Sequence, residues 1–353
     1  MVRIKKPTLG LVALGLAACT ADSTGLTAPA SGQRVVSATG TGAVYAGPEN
    51  DYQPSLIRTR AGTLMMVIER LNSSNSGDLF VTNSSDEGAT WSVPRAIVAS
   101  TTTERHPALV ELSTGGFALF YLYNEGNKGG YRIHRSTSPD GATWTARGRI
   151  GLGWTTGSEI NPAVIVEADG SLTMTYHRLN GASYIARSTD GGATWDTRKT
   201  AITTTSAALP RIAKRASDGL YLVTYQSAGS DGKMDLFVET SSDPYNWTAA
   251  ARPIAQADDN HDSAPIVMPN GSFFLPYIVA QGTGNYNVVY RTSADGLTWS
   301  AATALTTDAD LADVEPHAVL GTTAGQVLLS WGHQVVAGAN DYDIWMKRDL
   351  IVQ

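Results

Sequence analysis

The chain of 353 residues contains a single cysteine, Cys19, so no disulfide within the chain can brace the fold. Histidine is scarce as well. The six histidines show no spacing of a metal-ligand motif, which argues against a zinc site, and no cofactor is expected. Beyond the N-terminus no cluster of Lys and Arg occurs, and the net charge is −6. That balance sets aside nucleic acid and anionic membrane surfaces as partners. No apolar run is long enough to span a bilayer, and from residue 34 onward no long segment carries a helical period.

What recurs instead is a turn. Ser188-Thr189-Asp190-Gly191-Gly192-Ala193-Thr194-Trp195 has a second full copy at residues 84–91, shorter copies at 138–144 and 293–299, and a degenerate one at 241–247. The closing tryptophans stand at 91, 144, 195, 247 and 299, a spacing of 51 to 53 residues. A fixed period of this length marks a repeat architecture. Asp-Gly or Asp-x-Gly between β-rich runs makes a tight turn, with Gly at positive φ and a Trp to bury against the strands it joins. The pattern Ser-x-Asp-x-Gly-x-Thr-Trp resembles the Asp-box of bacterial neuraminidase repeats. The resemblance implies that the boxes lie at blade peripheries and that their Asp residues are structural.

A second unit lies upstream of each box: a polar residue, Pro, a small residue and then an apolar strand. It begins at Gln53-Pro54, His106-Pro107 and Asn161-Pro162, with weaker forms at Leu209-Pro210, at Asp262 followed by Pro265, and at Glu315-Pro316. Six starts stand against five boxes, so the last unit lacks its outer strand. Residues 34–45 form an unassigned strand-like stretch ahead of the first unit. Pairing the two removes a sheet edge. The expected fold is all-β: a six-bladed β-propeller over residues 34–353, its last blade closed by the N-terminal strand.

Residues 1–19 combine Arg3, Lys5 and Lys6 with a short apolar run and end Leu16-Ala17-Ala18-Cys19. This resembles a bacterial lipobox, which implies lipidation of Cys19 and a place in the cell envelope, either anchored or secreted. Residues 20–33 read as a flexible tether.

In a propeller the residue before each Pro and the end of each second strand should converge on one funnel. Candidate acids there are Glu159, Asp262 and Glu315, since paired carboxylates run glycoside hydrolysis. Candidate substrate contacts are Glu69, Arg70, His106, Asn161, His177, Arg178, Arg211, Tyr225, Tyr277 and Trp331: aromatic faces, guanidinium forks and hydrogen-bonding groups suited to a sugar. The resemblance to sialidases extends over most of residues 34–353 but fails at three places. Tyr52-Gln53-Pro54 replaces the Arg-Ile-Pro that grips the substrate carboxylate. Residues 71–75 lack the acid/base Asp, and Trp331 and His333 stand where a nucleophilic Tyr is sought. The expectation is therefore an exo-acting glycosidase on a non-sialic glycan, working as a monomer with only a lipid anchor in the membrane. Two alternatives stay open: a non-catalytic glycan-binding lipoprotein, and a polysaccharide lyase using His106 or His177 with Tyr225.

Overall fold

The repeats read from the sequence become six antiparallel sheets. Blade 1 comprises Asn50–Arg58, Leu64–Leu71, Gly77–Ser84 and Arg95–Val98, and blade 2 comprises Glu104–Glu111, Phe117–Asn124, Tyr131–Ser138 and Gly148–Arg149. Blade 3 is Glu159–Val166, Leu172–Arg178, Ser183–Ser188 and Thr200–Ala201; blade 4 is Ala208–Lys214, Tyr221–Ala228, Met234–Ser241 and Arg252–Pro253. In blade 5 the inner strand is split into Asn260–His261 and Ile266–Val267, followed by Phe273–Ala280, Tyr286–Ser293 and Thr303–Ala304. The computed structural model describes residues 34–35, 40–126, 130–145, 148–179, 181–203, 206–229, 232–247, 252–254, 259–280 and 285–352. The leader, Cys19 and the tether expected at residues 1–33 lie outside them.

Blade 6 closes the ring as the count of starts against boxes requires. Asp313–Leu320, Gln326–Gln334 and Tyr342–Ile351 are followed in the sheet by Thr41–Tyr45, which pairs Thr41 with Lys347 and Tyr45 with Ile344. The expected closing strand is shorter than residues 34–45. Arg34–Val35 pairs instead with Thr90–Trp91 in blade 1.

Each blade is covered on both faces by its neighbours, so its second strand is buried along most of its length on both faces. All eight residues of Phe273–Ala280 are buried. The core is a set of seams between adjacent blades. One joins Ala118, Phe120 and Ile133 of blade 2 to Leu172, Met174, Tyr176 and Trp195 of blade 3.

The boxes pin these seams from outside. Ser188 Oγ donates to Asp190 Oδ1 at 2.8 Å and accepts from the Gly192 amide at 2.8 Å, while Asp190 Oδ2 takes the Thr194 hydroxyl at 2.6 Å. The Trp195 indole donates to the Gly192 carbonyl at 3.0 Å and meets Phe120 of blade 2 edge-on, with centroids 5.5 Å apart. Gly192 has φ +85°, and a Cβ there would lie 2.4 Å from Phe120, so this position admits only glycine. Bonds from the Thr194 side chain and amide hold the Asp190 carboxyl down at about 2. Trp195→Ala is therefore expected to cost about 3–5 kcal/mol in a urea titration, the range for deleting a buried aromatic. Asp190→Ala should cost less and leave any activity of the folded protein unchanged.

Candidate active site

The Pro-containing repeat is a β-bulge. In blade 1 the ladder runs from Tyr52 opposite Glu69 to Ser55 opposite Val67, leaving Gln53 and Pro54 against Ile68 alone. The same two-against-one shift occurs at His106-Pro107, Asn161-Pro162, Leu209-Pro210 and Glu315-Pro316. Pro suits the place because it has no N–H to leave unpaired. In these five blades the residue before it takes a left-handed conformation. The φ values are 44° at Gln53, 50° at His106, 54° at Asn161, 49° at Leu209 and 51° at Glu315, and blade 5 repeats the feature at Asp262 with 43°. Non-glycine residues rarely sit there, at a cost of about 1–3 kcal/mol each. Such a residue recurs once in each of the six blades, and three of them, Gln53, His106 and Glu315, line with Arg211 a cavity of about 530 Å³.

One side of the ring is acidic. Glu315 Oε1 accepts from Gln53 Nε2 at 2.8 Å, and Oε2 lies 3.6 Å from Arg211. Burial first, and then the charge of Asp262, push the Glu315 carboxyl up to about 7, against the pull of Arg211 and Gln53. Asp262 lies 3.5 Å from His261 Nδ1, and its backbone amide is held by Gln226 Oε1 at 3.4 Å. Burial opposes the charge on His261, but Asp262, its hydrogen bond and Glu315 overcome it and raise the imidazole. Tyr52 belongs to the same wall. Burial and then the charges of Glu315 and Asp262 hold its phenol well above the usual range.

Imidazoles and Arg211 lie close by. Burial, then Arg105, Arg211 and His177, keep His106 well below the ordinary histidine value, and burial with Arg211 lowers His177 and His317 to about 4. All three are neutral at neutral pH. The arginines of this face are each matched to a carboxylate. Arg70 grips Asp51 with Nε at 2.7 Å and a second bond of 2.9 Å; Arg105 donates to Glu69 at 2.6 Å. Arg178 lies 3.8 Å from Glu159, which is also 3.4 Å from the buried Arg132.

With that geometry established, kinship can be read. Residues 33–219 match the BNR repeat-like domain, more than half of the chain. The chain belongs to this family. No curated protein matches the chain. Among solved structures, a protein of unknown function from Dyadobacter fermentans superposes with a TM-score of 0.70 at 15% identity, covering 89% of this chain and 98% of that one. The NanB sialidase of Streptococcus pneumoniae gives 0.68 at 10%, covering 87% and 70%. The α-L-arabinanase of Penicillium chrysogenum, solved with arabinobiose, gives 0.64 at 17%, covering 90% and 98%. At these identities the likeness is one of fold.

Within this BNR-repeat propeller the candidates from sequence divide. Asp262, Glu315, His106, Asn161, His177 and Arg211 gather at the ring. Glu69 reaches it indirectly, accepting from the His106 amide at 3.2 Å while holding Arg105. Arg70 is turned away, its fork on Asp51 and its guanidinium over Phe80 at 4.4 Å. Glu159 and Arg178 form a separate ionic cluster with Arg132, in which Arg178 also stacks on Trp154 at 4.0 Å.

Tyr225, Tyr277 and Trp331 correct the sequence reading, because none of them lines the funnel. Tyr225 and Trp331 sit opposite the bulges, beneath the ring rather than on it, and Tyr277 occupies the matching strand of blade 5. Their exposures are 4%, 0% and 1%. Their polar atoms are engaged inside the blades: Tyr225 donates to Glu239, Tyr277 accepts from Arg291, and Trp331 donates to Asp313. Tyr52 was missed. The bulge is the reason, since it breaks the strict alternation that would put Tyr52 and Gln53 on opposite faces. Among the described residues one trio of metal-binding side-chain types comes together, Asp308, Asp313 and His333. Asp313 Oδ1 already accepts from Trp331 and lies 2.7 Å from His333 Nδ1, while its Oδ2 is buried without a hydrogen-bond partner.

Proposed function

We propose that this propeller is a glycoside hydrolase acting on a neutral, non-sialic sugar of an extracellular glycan. The observation that carries the reading is the pair Asp262 and Glu315. Two carboxylates from adjacent blades stand at neighbouring bulges, and burial, then the charge of the first, raises the second to about 7. Glu315 then donates its proton to the glycosidic oxygen, and Asp262 attacks the anomeric carbon or activates water. The names of the structural neighbours, a sialidase and an arabinanase among them, agree with carbohydrate cleavage on this fold.

The neutral substrate follows from the arginines. A sialic or uronic carboxylate needs a guanidinium fork, and Arg70, Arg105 and Arg178 each face a carboxylate of the protein, while Arg211 lies 3.6 Å from Glu315 and donates to the Pro210 carbonyl at 3.3 Å. The same pairing weakens the lyase alternative, which also needs Tyr225, now buried against Glu239. A screen of chromogenic glycosides with residues 34–353 tests the proposal. Cleavage of a neutral glycoside supports it. Glycan binding without cleavage of any member would replace it with the binding-lipoprotein reading.

The pH dependence has a definite sign. Glu315 is the acid, so kcat should fall as pH rises through about 7. For stability, the folded value of about 7 lies above the ordinary 4.5. Protonated Glu315 therefore stabilises the fold fully below about pH 4.5, and that contribution is lost as pH rises through 7. Glu315→Gln should flatten this part of a plot of Tm against pH. An unchanged profile would show that Glu315 does not titrate there.

We also propose that the protein is held at the cell envelope through lipidated Cys19, on the strength of the Leu16-Ala17-Ala18-Cys19 motif. Cys19→Ser should move it from the membrane fraction to the soluble fraction with its fold intact. Retention of the variant, with no lipid label on the wild type, would remove the anchor.

A further inference from the structure

The bulges bury the aromatics first expected to touch sugar, yet the acidic wall is not without aromatic faces. Tyr52 immediately precedes Gln53, whose amide holds Glu315 at 2.8 Å. Its ring meets Tyr342 edge-on, with centroids 5.1 Å apart and planes at 66°. On the other flank, His261 lies 3.5 Å from Asp262 and meets the Tyr286 ring edge-on at 4.9 Å and 73°. Tyr52 and Tyr286 are half-buried, whereas Tyr342 is buried at 4% exposure. Burial and then the neighbouring Tyr286 push the Tyr342 phenol up to about 12.

Resting on the hydrolase reading, we propose that Tyr52 and Tyr286 are the sugar-stacking faces of the site, seating the apolar C–H face of a neutral pyranose or furanose beside Asp262 and Glu315. An aromatic ring offers a broad, rigid apolar surface at little conformational cost, and the edge-on contacts with Tyr342 and His261 fix each ring before substrate arrives. The far wall complements it. Asn161 stands across the six-blade ring from Glu315. Asn161 Oδ1 is buried without a hydrogen-bond partner, and so is Nδ1 of His177, one residue beyond the aromatic opposite its bulge. A sugar has one apolar face and a rim of hydroxyls. Seated on the tyrosines, it turns hydroxyls toward these two open polar atoms.

The test uses four variants, Tyr52→Leu, Tyr52→Phe, Tyr286→Leu and Tyr286→Phe, with Tm recorded for each. Leucine keeps the apolar packing and removes the flat face; phenylalanine keeps the face and removes the hydroxyl. On whichever neutral 4-nitrophenyl glycoside the wild type cleaves, the leucine variants should raise KM by about tenfold or more with a smaller change in kcat, and the phenylalanine variants should stay near wild type. A neutral glycan array gives a second readout that does not depend on turnover. Loss of signal for leucine and its retention for phenylalanine would support the stacking role even if no glycoside is cleaved, in which case only the hydrolase reading fails. Leucine variants that bind as wild type would overturn the proposal, as would phenylalanine variants as weak as leucine, or a wild type that binds no neutral glycan at all.

Discussion

Glu315→Gln is expected to cut turnover by about 10²- to 10⁴-fold while leaving substrate binding nearly intact, the loss typical when a positioned general acid is removed. The carboxamide keeps the side chain's shape and its bond with Gln53 but has no proton to give. Asp262→Asn should fall in the same range, because the attacking or water-activating charge disappears. The double variant should be little worse than either single one, since the two groups act on one bond. Glu159→Gln is the instructive contrast. Its carboxylate neutralises Arg132, which is 2% exposed, so the change leaves a buried cation poorly matched and should cost about 3–5 kcal/mol of stability. A stability loss without a matching loss of kcat per folded molecule would separate Glu159 from the pair. Wild-type rates for both Glu315→Gln and Asp262→Asn on a confirmed substrate would overturn the assignment and turn attention to His106 and His177.

The architecture was legible because two independent repeats, box and bulge, ran out of phase at the chain ends, and the missing strand had one place to come from. The ring was legible for a related reason. Pro at a fixed place in each repeat marks where the ladder loses a hydrogen bond, so the residue before it is singled out without knowledge of its φ. The second-strand residues were not legible to the same degree. Tyr225, Tyr277 and Trp331 look like a polar-aromatic strand end in sequence, yet the bulge shifts the partner strand by one residue and drops them under the ring. Arg70 and Glu69 are neighbours in sequence that part company in space, one to Asp51 and the other to Arg105. No local pattern announces Asp51 as a partner, because the pairing crosses the hairpin. Tyr286 is set by the third strand of blade 5, which carries no repeat signal on the funnel side.

Deleting residues 34–46 should destabilise the whole propeller and not merely fray one end. Thr41–Tyr45 is the outer strand of blade 6, and without it the long strand Tyr342–Ile351 presents an open edge. Val44 is 2% exposed within a seam that includes Leu56, Ile68 and Trp91 of blade 1 and Leu328, Ile344 and Met346 of blade 6. Removing that side chain alone forfeits about 1.5–3 kcal/mol. Each lost ladder bond adds about 1 kcal/mol, including the one from the Arg348 amide to the Gly40 carbonyl. The total is a large share of the about 5–15 kcal/mol that holds a typical domain. Because the seam joins the last blade to the first, its loss opens the ring that carries Glu315 and Gln53 on its two sides. We expect Tm to fall by about 10 °C or more, with activity lost in parallel, whereas removing residues 20–32 should be almost silent. A synthetic peptide of residues 34–46 added in trans should restore part of the lost Tm by pairing with the open edge, as an added strand does in β-augmentation. A truncated protein that melts like the full domain would mean that the N-terminal strand does not close the propeller.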